Sequence, residues 1–252
     1  MQRERSPHTP DLGGHGFDVA DIHGVLIDGL RGRAGALDEE QAVQGIDALS
    51  EVALHAVLAD VLRERGFGVL RERPYPGHRD MGRPGERPTH AARMRCDLVL
   101  TPAPGVTLGD PVADLRERDA LEGTLFAGAE LKPVKPTLPP EDALWLEVKT
   151  LGQFCFKRGV PVPNTTYAAE LTQAVFDDLA KLSHEPLIRH GALVLVLFTC
   201  DKTTAEHDVG VAMHRALDKG VVFRSPITGG FEISDRIGNA WCAVVVVGSV
   251  GV

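Results

Sequence analysis

Closely spaced cysteines are missing from this sequence: Cys96, Cys155, Cys200 and Cys242 lie far apart, with no CxxC pair. They are expected as buried free thiols of a reducing compartment. No apolar run reaches the length of a membrane span, and residues 1–12 are charged and contain proline, with no apolar leader. A cytoplasmic location and no membrane partner are the expectation. Basic excess is also missing, since the formal net charge is -8. That argues against non-specific coating of nucleic acid, but not against a local site where a metal ion offsets clustered carboxylates. GxSxG, Walker A, GxGxxG and HExxH motifs are absent. The ten histidines are scattered; His184, His190, His207 and His214 form no zinc set, although His207 and His214 share a helix face.

What is present reads as an ordinary soluble globular chain: 252 residues, 43% apolar and 25% charged. Residues 1–16 are expected to form a disordered or loosely attached tail. Helical spacing over 18–31 (Val19, Ile22, Val25, Leu26, Leu30) is expected to end at Gly32 and Gly35, with another helical run starting at Asp38. Ser50 caps a further helix whose stripe is Leu54, Val57, Leu58, Val61 and Leu62, and Gly66 stops it. Strands are expected at 67–72, 93–100 and 143–150, a helix at 167–182, a strand at 193–198 and a helix at 203–217. Shorter strands follow at 221–223, 231–233 and 241–247. Residues 101–142 read as an insertion ending in a proline-rich linker. This order suits a mixed sheet flanked by helices in one α/β domain, residues 17–252.

Three acids stand where a plain core would not put them. In the strand at 143–150, Leu144, Leu146 and Val148 alternate with Trp145, Glu147 and Lys149. Opposite charges at consecutive same-face positions of an apolar strand are costly unless something uses them; taken alone, the pair also suits a cross-strand ion pair at a sheet edge. Asp97 sits mid-strand, opposite in face to Met94, Cys96, Leu98 and Leu100, and aspartate is among the poorest strand formers. Glu51 lies on the inward stripe of its helix, where complementing the helix dipole is the alternative reading. Seven arginines between residues 71 and 95, Arg79, Arg83, Arg93 and Arg95 among them, make a basic stretch in an acidic chain. It reads either as a solvated loop or as a phosphate-contacting flap, and Lys157 with Arg158 poses the same choice.

Glu51, Asp97 and Glu147-Val148-Lys149, followed by an amphipathic helix and a buried strand, resemble the PD-(D/E)xK phosphodiesterase superfamily, the restriction-endonuclease-like fold. The similarity spans about residues 50–200, with 17–49 as a helical extension and 201–252 as a C-terminal one. It implies that Asp97 and Glu147 are the acidic metal ligands, with the Val148 carbonyl and Glu51 joining them, and that Lys149 is the catalytic lysine. Gln173 matches a glutamine that a subset of members carry on the helix after the lysine; the tyrosine often found four residues later is Asp177 here. No proline precedes Asp97, and residues 101–142 must loop out of a strand-to-strand connection.

The implied cofactor is Mg²⁺ or Mn²⁺, since hard ions prefer oxygen ligands. The implied activity is phosphodiester hydrolysis by metal-activated water, with Lys149 orienting the water or stabilising developing charge. DNA is favoured as substrate by family habit, and a homodimer is compatible with the sequence. A catalytically inactive member acting as a nucleic-acid-binding or assembly module is the rival reading. An unrelated α/β protein with three structural ion pairs is a third.

Overall fold

The computed structural model describes residues 17–76, 94–110 and 137–250. Asp18 caps the first helix, α1 (Val19–Glu39), its carboxylate accepting from the Ala20 and Asp21 amides. The helix does not end at Gly32. Ile22, Leu26, Leu30, Ala34 and Leu37 carry one buried stripe past both glycines, and that burial outweighs the ~1 kcal/mol each glycine costs a helix. Asp38, expected to cap a second helix, lies inside α1 and pairs with Arg236 at 2.6 Å. Helix α2 (Glu51–Glu64) starts at Ser50, whose Oγ accepts from the Ala53 amide. The two helices cross at Gly29, where any Cβ would run into the Val61 side chain.

Among the described residues, ten strands follow in chain order: β1 (Gly68–Pro74), β2 (Arg95–Thr101), β3 (Thr107–Leu108), β4 (Thr137–Leu138), β5 (Leu144–Gly152), β6 (Phe154–Lys157), β7 (Val160–Pro163), β8 (His190–Thr199), β9 (Ile227–Glu232) and β10 (Trp241–Gly248). Helix α3 (Tyr167–His184) joins β7 to β8, and α4 (Lys202–Asp218) follows β8. Six strands form one mixed sheet in the order β1-β2-β5-β8-β10-β9. Within this sheet β5 and β8 pair in parallel, with α3 between them in sequence, and the other described pairings are antiparallel. Strands β3 and β4 make a small parallel pair, and β6 with β7 a hairpin beyond the end of β5.

The sheet is covered on both faces. Helices α1 and α2 pack on Leu98, Leu100, Leu144, Leu146 and Val148. Helices α3 and α4 pack on Leu193, Leu195, Leu197 and the β10 valines. Every residue of β8 is consequently buried, which is why its sequence is an unbroken apolar run. The α1 and C-terminal segments, expected as extensions, build this same core: α1 lies against Phe231, Val244 and Val246.

A third cluster sits at the β1–β2–β5 end, around Tyr75, Cys96, Val99, Trp145, Leu182 and Ile188. Trp145 is fully buried, its indole N–H donates to the Pro140 carbonyl at 2.9 Å, and Tyr75 stacks on it at 6.0 Å between centroids. Trp145→Ala is expected to cost about 3–5 kcal/mol of stability, read as a lower urea midpoint. An unchanged midpoint would mean that this cluster does not hold the end of the sheet together.

Candidate metal centre

The site is made by two strands that part. Strands β2 and β5 pair through Leu100↔Leu144, Val99↔Trp145 and Leu98↔Leu146, and the ladder stops there. At the next position the Asp97 carboxylate replaces the backbone: its Oδ2 accepts from the Val148 amide at 2.8 Å. The N–H and C=O of one extended residue point to the same side, so the Val148 carbonyl is turned toward the same gap. Cys96 fills the space behind, donating its thiol to the Leu146 carbonyl at 3.3 Å. Expected on the face of Leu98 and Leu100, Cys96 instead packs with Tyr75, Val99 and Trp145. On β1, the neighbouring ladder position belongs to Glu72, whose φ of 51° is a left-handed conformation that costs of order 1–3 kcal/mol for such a residue.

Glu147 projects into the end cluster, with 4% of its surface exposed, and accepts a short hydrogen bond from the Tyr75 hydroxyl. Burial, and then the neighbouring Asp97 charge, push its carboxyl well above the ordinary range against the opposing pull of Tyr75. The Asp97 and Glu147 carboxyls are within hydrogen-bonding reach of each other. A cation bound beside Glu147 would favour its ionised form and release its proton. Burial likewise pushes the Cys96 thiol up.

Lys149 leaves β5 two residues on, and its Nζ lies 3.2 Å from Glu51 Oε2 at the start of α2. From the opposite face, α3 contributes a charged pair: Lys181 Nζ donates to Asp178 Oδ1 at 2.6 Å. Burial raises the Asp178 carboxyl against the pull of Lys181 and Lys149. Lys181 is raised despite its own burial, by Asp178 first and then by the fields of Glu147 and Asp97.

Asp97 thus meets Val148 and Glu147, and Lys149 meets Glu51. Gln173 meets none of them. Its amide donates to Asp177 at 2.8 Å and accepts from Lys219 at 2.7 Å on the exposed side of α3. The reason is helical phase: the inward stripe runs through Leu171, Val175, Asp178 and Leu182, and Gln173 lies roughly 140° around the helix from Asp178. Asp178 and Lys181 occupy the position expected of Gln173. Arg95 is exposed and donates to the Glu72 carbonyl at 2.8 Å. Lys157 and Arg158 are exposed at the turn of the β6–β7 hairpin, Arg158 with a φ of 55°. Arg79, Arg83 and Arg93 lie outside the described residues, as does the 1–16 tail.

Three further residues escaped the sequence reading. Tyr75 follows β1, with nothing local to mark it. His55 is 97% buried on the α2 stripe between Leu54 and Leu58, a polar residue in a core position, which was its available signal. Its Nδ1 is 3.8 Å from Asp97 Oδ1, and its Nε2 has no hydrogen-bond partner among the described residues. Ligand atoms of His55, Glu72 and Asp97 all lie within 4.8 Å of one another. Asp97 therefore borders two donor groups: one all-oxygen set with Glu147 and the Val148 carbonyl, and one mixed set with an imidazole. The oxygen set fits a hard divalent ion, which would offset the negative charge of its carboxylates. No protein-family model matches this chain, and neither does any curated protein or solved structure.

Proposed function

We propose that this chain is a metal-dependent nuclease of the PD-(D/E)xK, restriction-endonuclease-like kind, hydrolysing phosphodiester bonds in DNA. One observation carries the reading: where β2 and β5 part, Asp97, Glu147 and the Val148 carbonyl converge, with the Lys149 ammonium two residues on. The order of elements supports it, since α2, the β1–β2–β5 meander, α3 and β8 follow the helix, three strands, helix and strand of that fold.

Each residue has a task the geometry allows. Asp97 and Glu147 hold Mg²⁺ or Mn²⁺ through carboxylate oxygens, with the Val148 carbonyl as a neutral third ligand. When bound, the ion supplies Lewis-acid polarisation of a phosphate oxygen. Tyr75 fixes the rotamer of Glu147 by donating to its Oε1. Lys149 places a full positive charge where the phosphorus centre gains negative charge, and Glu51 holds that ammonium in place.

Supercoiled plasmid and single-stranded DNA, incubated with Mg²⁺ or Mn²⁺ and separately with EDTA, test this directly. The wild type is expected to cut only with metal, and Lys149→Ala to lose on the order of 10²–10³-fold in rate. Unchanged nicking by Lys149→Ala would refute its role, and a wild type inert on both DNAs would refute the nuclease reading.

A further inference from the structure

The geometry points to Lys181 as a second substrate-contacting cation of this site, a phosphate-binding ammonium that α3 supplies and Asp178 aims. The inference rests on the nuclease reading and deepens it. It starts from an anomaly of patterning. Asp178 lies on the inward stripe of α3 between Val175 and Leu182, with its side chain only 12% exposed. A buried carboxylate of this kind is costly unless it holds something. What it holds is Lys181, one turn along, at 2.6 Å.

A surface ion pair would leave the matter there, but Asp178 lies on the inward stripe of α3, one turn before Leu182. Leu182 next to Lys181 packs in the cluster of Tyr75 and Trp145, and Tyr75 carries Glu147. The charges of Lys149 and Asp97 act on Asp178, and those of Glu147 and Asp97 act on Lys181. The Lys181 side chain nevertheless keeps 36% of its surface exposed, so it can be reached from solvent.

The site then has two ammonium groups braced from the two faces of the sheet. Lys149 is tied to Glu51 on α2, and Lys181 to Asp178 on α3. Carboxylates crowd the centre, and an incoming phosphodiester adds another negative charge. A second cation offsets that repulsion and gives the substrate a contact beyond the metal and Lys149. An aspartate and a lysine at i, i+3 hold a point charge, as a single phosphate oxygen requires.

Four proteins test the inference: wild type, Lys181→Met, Lys181→Arg and the double variant Asp178→Asn/Lys181→Met. Methionine keeps the apolar stem and removes only the charge. Cleavage is measured with Mn²⁺, and duplex binding with Ca²⁺ over a range of salt. Lys181→Met is expected to raise KM and to lower kcat/KM on the order of 10²-fold, with the salt slope of binding reduced by about one phosphate contact. Lys181→Arg should recover most of that loss.

The double variant separates the two roles. If Lys181 merely neutralises Asp178, removing both charges restores activity, and the inference is overturned. If it meets phosphate, the double variant stays as impaired as Lys181→Met. Lys181→Met cleaving within two-fold of an active wild type also overturns it, with the nuclease reading intact. A wild type that neither cuts nor binds DNA sinks both.

Discussion

Asp97→Asn is expected to lose DNA cleavage on the order of 10³-fold while unfolding at the same temperature as the wild type or a few degrees above it. The carboxylate does two separable things. As an acceptor it satisfies the Val148 amide at 2.8 Å, at the point where the β2–β5 ladder stops. As a charge it sits beside Glu147 and adds to the burial that raises that carboxyl. Asparagine keeps the acceptor and removes the repulsion, so folding loses little or gains. The same change removes an anionic ligand, and several kcal/mol of charge stabilisation correspond to about three decades in rate. Asp97→Ala should be equally inactive but less stable, because the Val148 N–H is then buried without its partner, at about 1–3 kcal/mol. Thermal melts of the three proteins beside plasmid cleavage check both halves. Cleavage by Asp97→Asn above a tenth of wild type would remove Asp97 from the metal centre. Equal melting of the asparagine and alanine variants would show that the amide contact is not what closes the ladder.

The same parting of strands explains how much of the site was legible beforehand. Glu147 and Lys149 announced themselves because a charged pair on an apolar strand needs a use, and Asp97 because aspartate resists strand geometry. Those signals are local, and each survives in the fold. The long-range ones do not exist in sequence. Tyr75 meets Glu147 across 72 residues, and nothing near Tyr75 marks it. Gln173 was a family analogy rather than a reading of its own helix; the stripe through Leu171, Val175 and Leu182 already pointed to residue 178. The α1 helix shows the opposite failure, where glycine propensity was weighed without the core that overrides it. Ala34 and Leu37 continue the stripe beyond Gly32, and burial on the sheet settles the matter. The parallel pairing of β5 with β8 was out of reach as well, because periodicity marks strands but not which strands lie side by side.

Adding Mn²⁺ is expected to raise the melting temperature strongly at pH 8 and weakly at pH 5.5. In the metal-free protein the Glu147 carboxyl is raised well above its unfolded value by burial and by Asp97, and Asp178 is raised by burial. A raised acid contributes stability that is full below the unfolded pKa, near 4.5 for glutamate. That stability is lost as pH climbs through the folded value. The metal-free protein should therefore weaken across the neutral range. A divalent ion held there would require Glu147 ionised and so release its proton, and each pH unit below the raised value would cost about 1.4 kcal/mol of metal affinity. At a hundredfold excess over Kd, binding adds about 2.7 kcal/mol, which for a chain of this size is roughly 5–10 °C. Glu147→Gln should melt higher than wild type without metal, since it keeps an oxygen for Tyr75 and drops the buried acid, and it should respond to Mn²⁺ at neither pH. Calorimetry in two buffers of different ionisation enthalpy would count the released proton near neutral pH. Equal shifts at both pH values, or a Glu147→Gln protein that Mn²⁺ still stabilises, would place the ion away from Glu147.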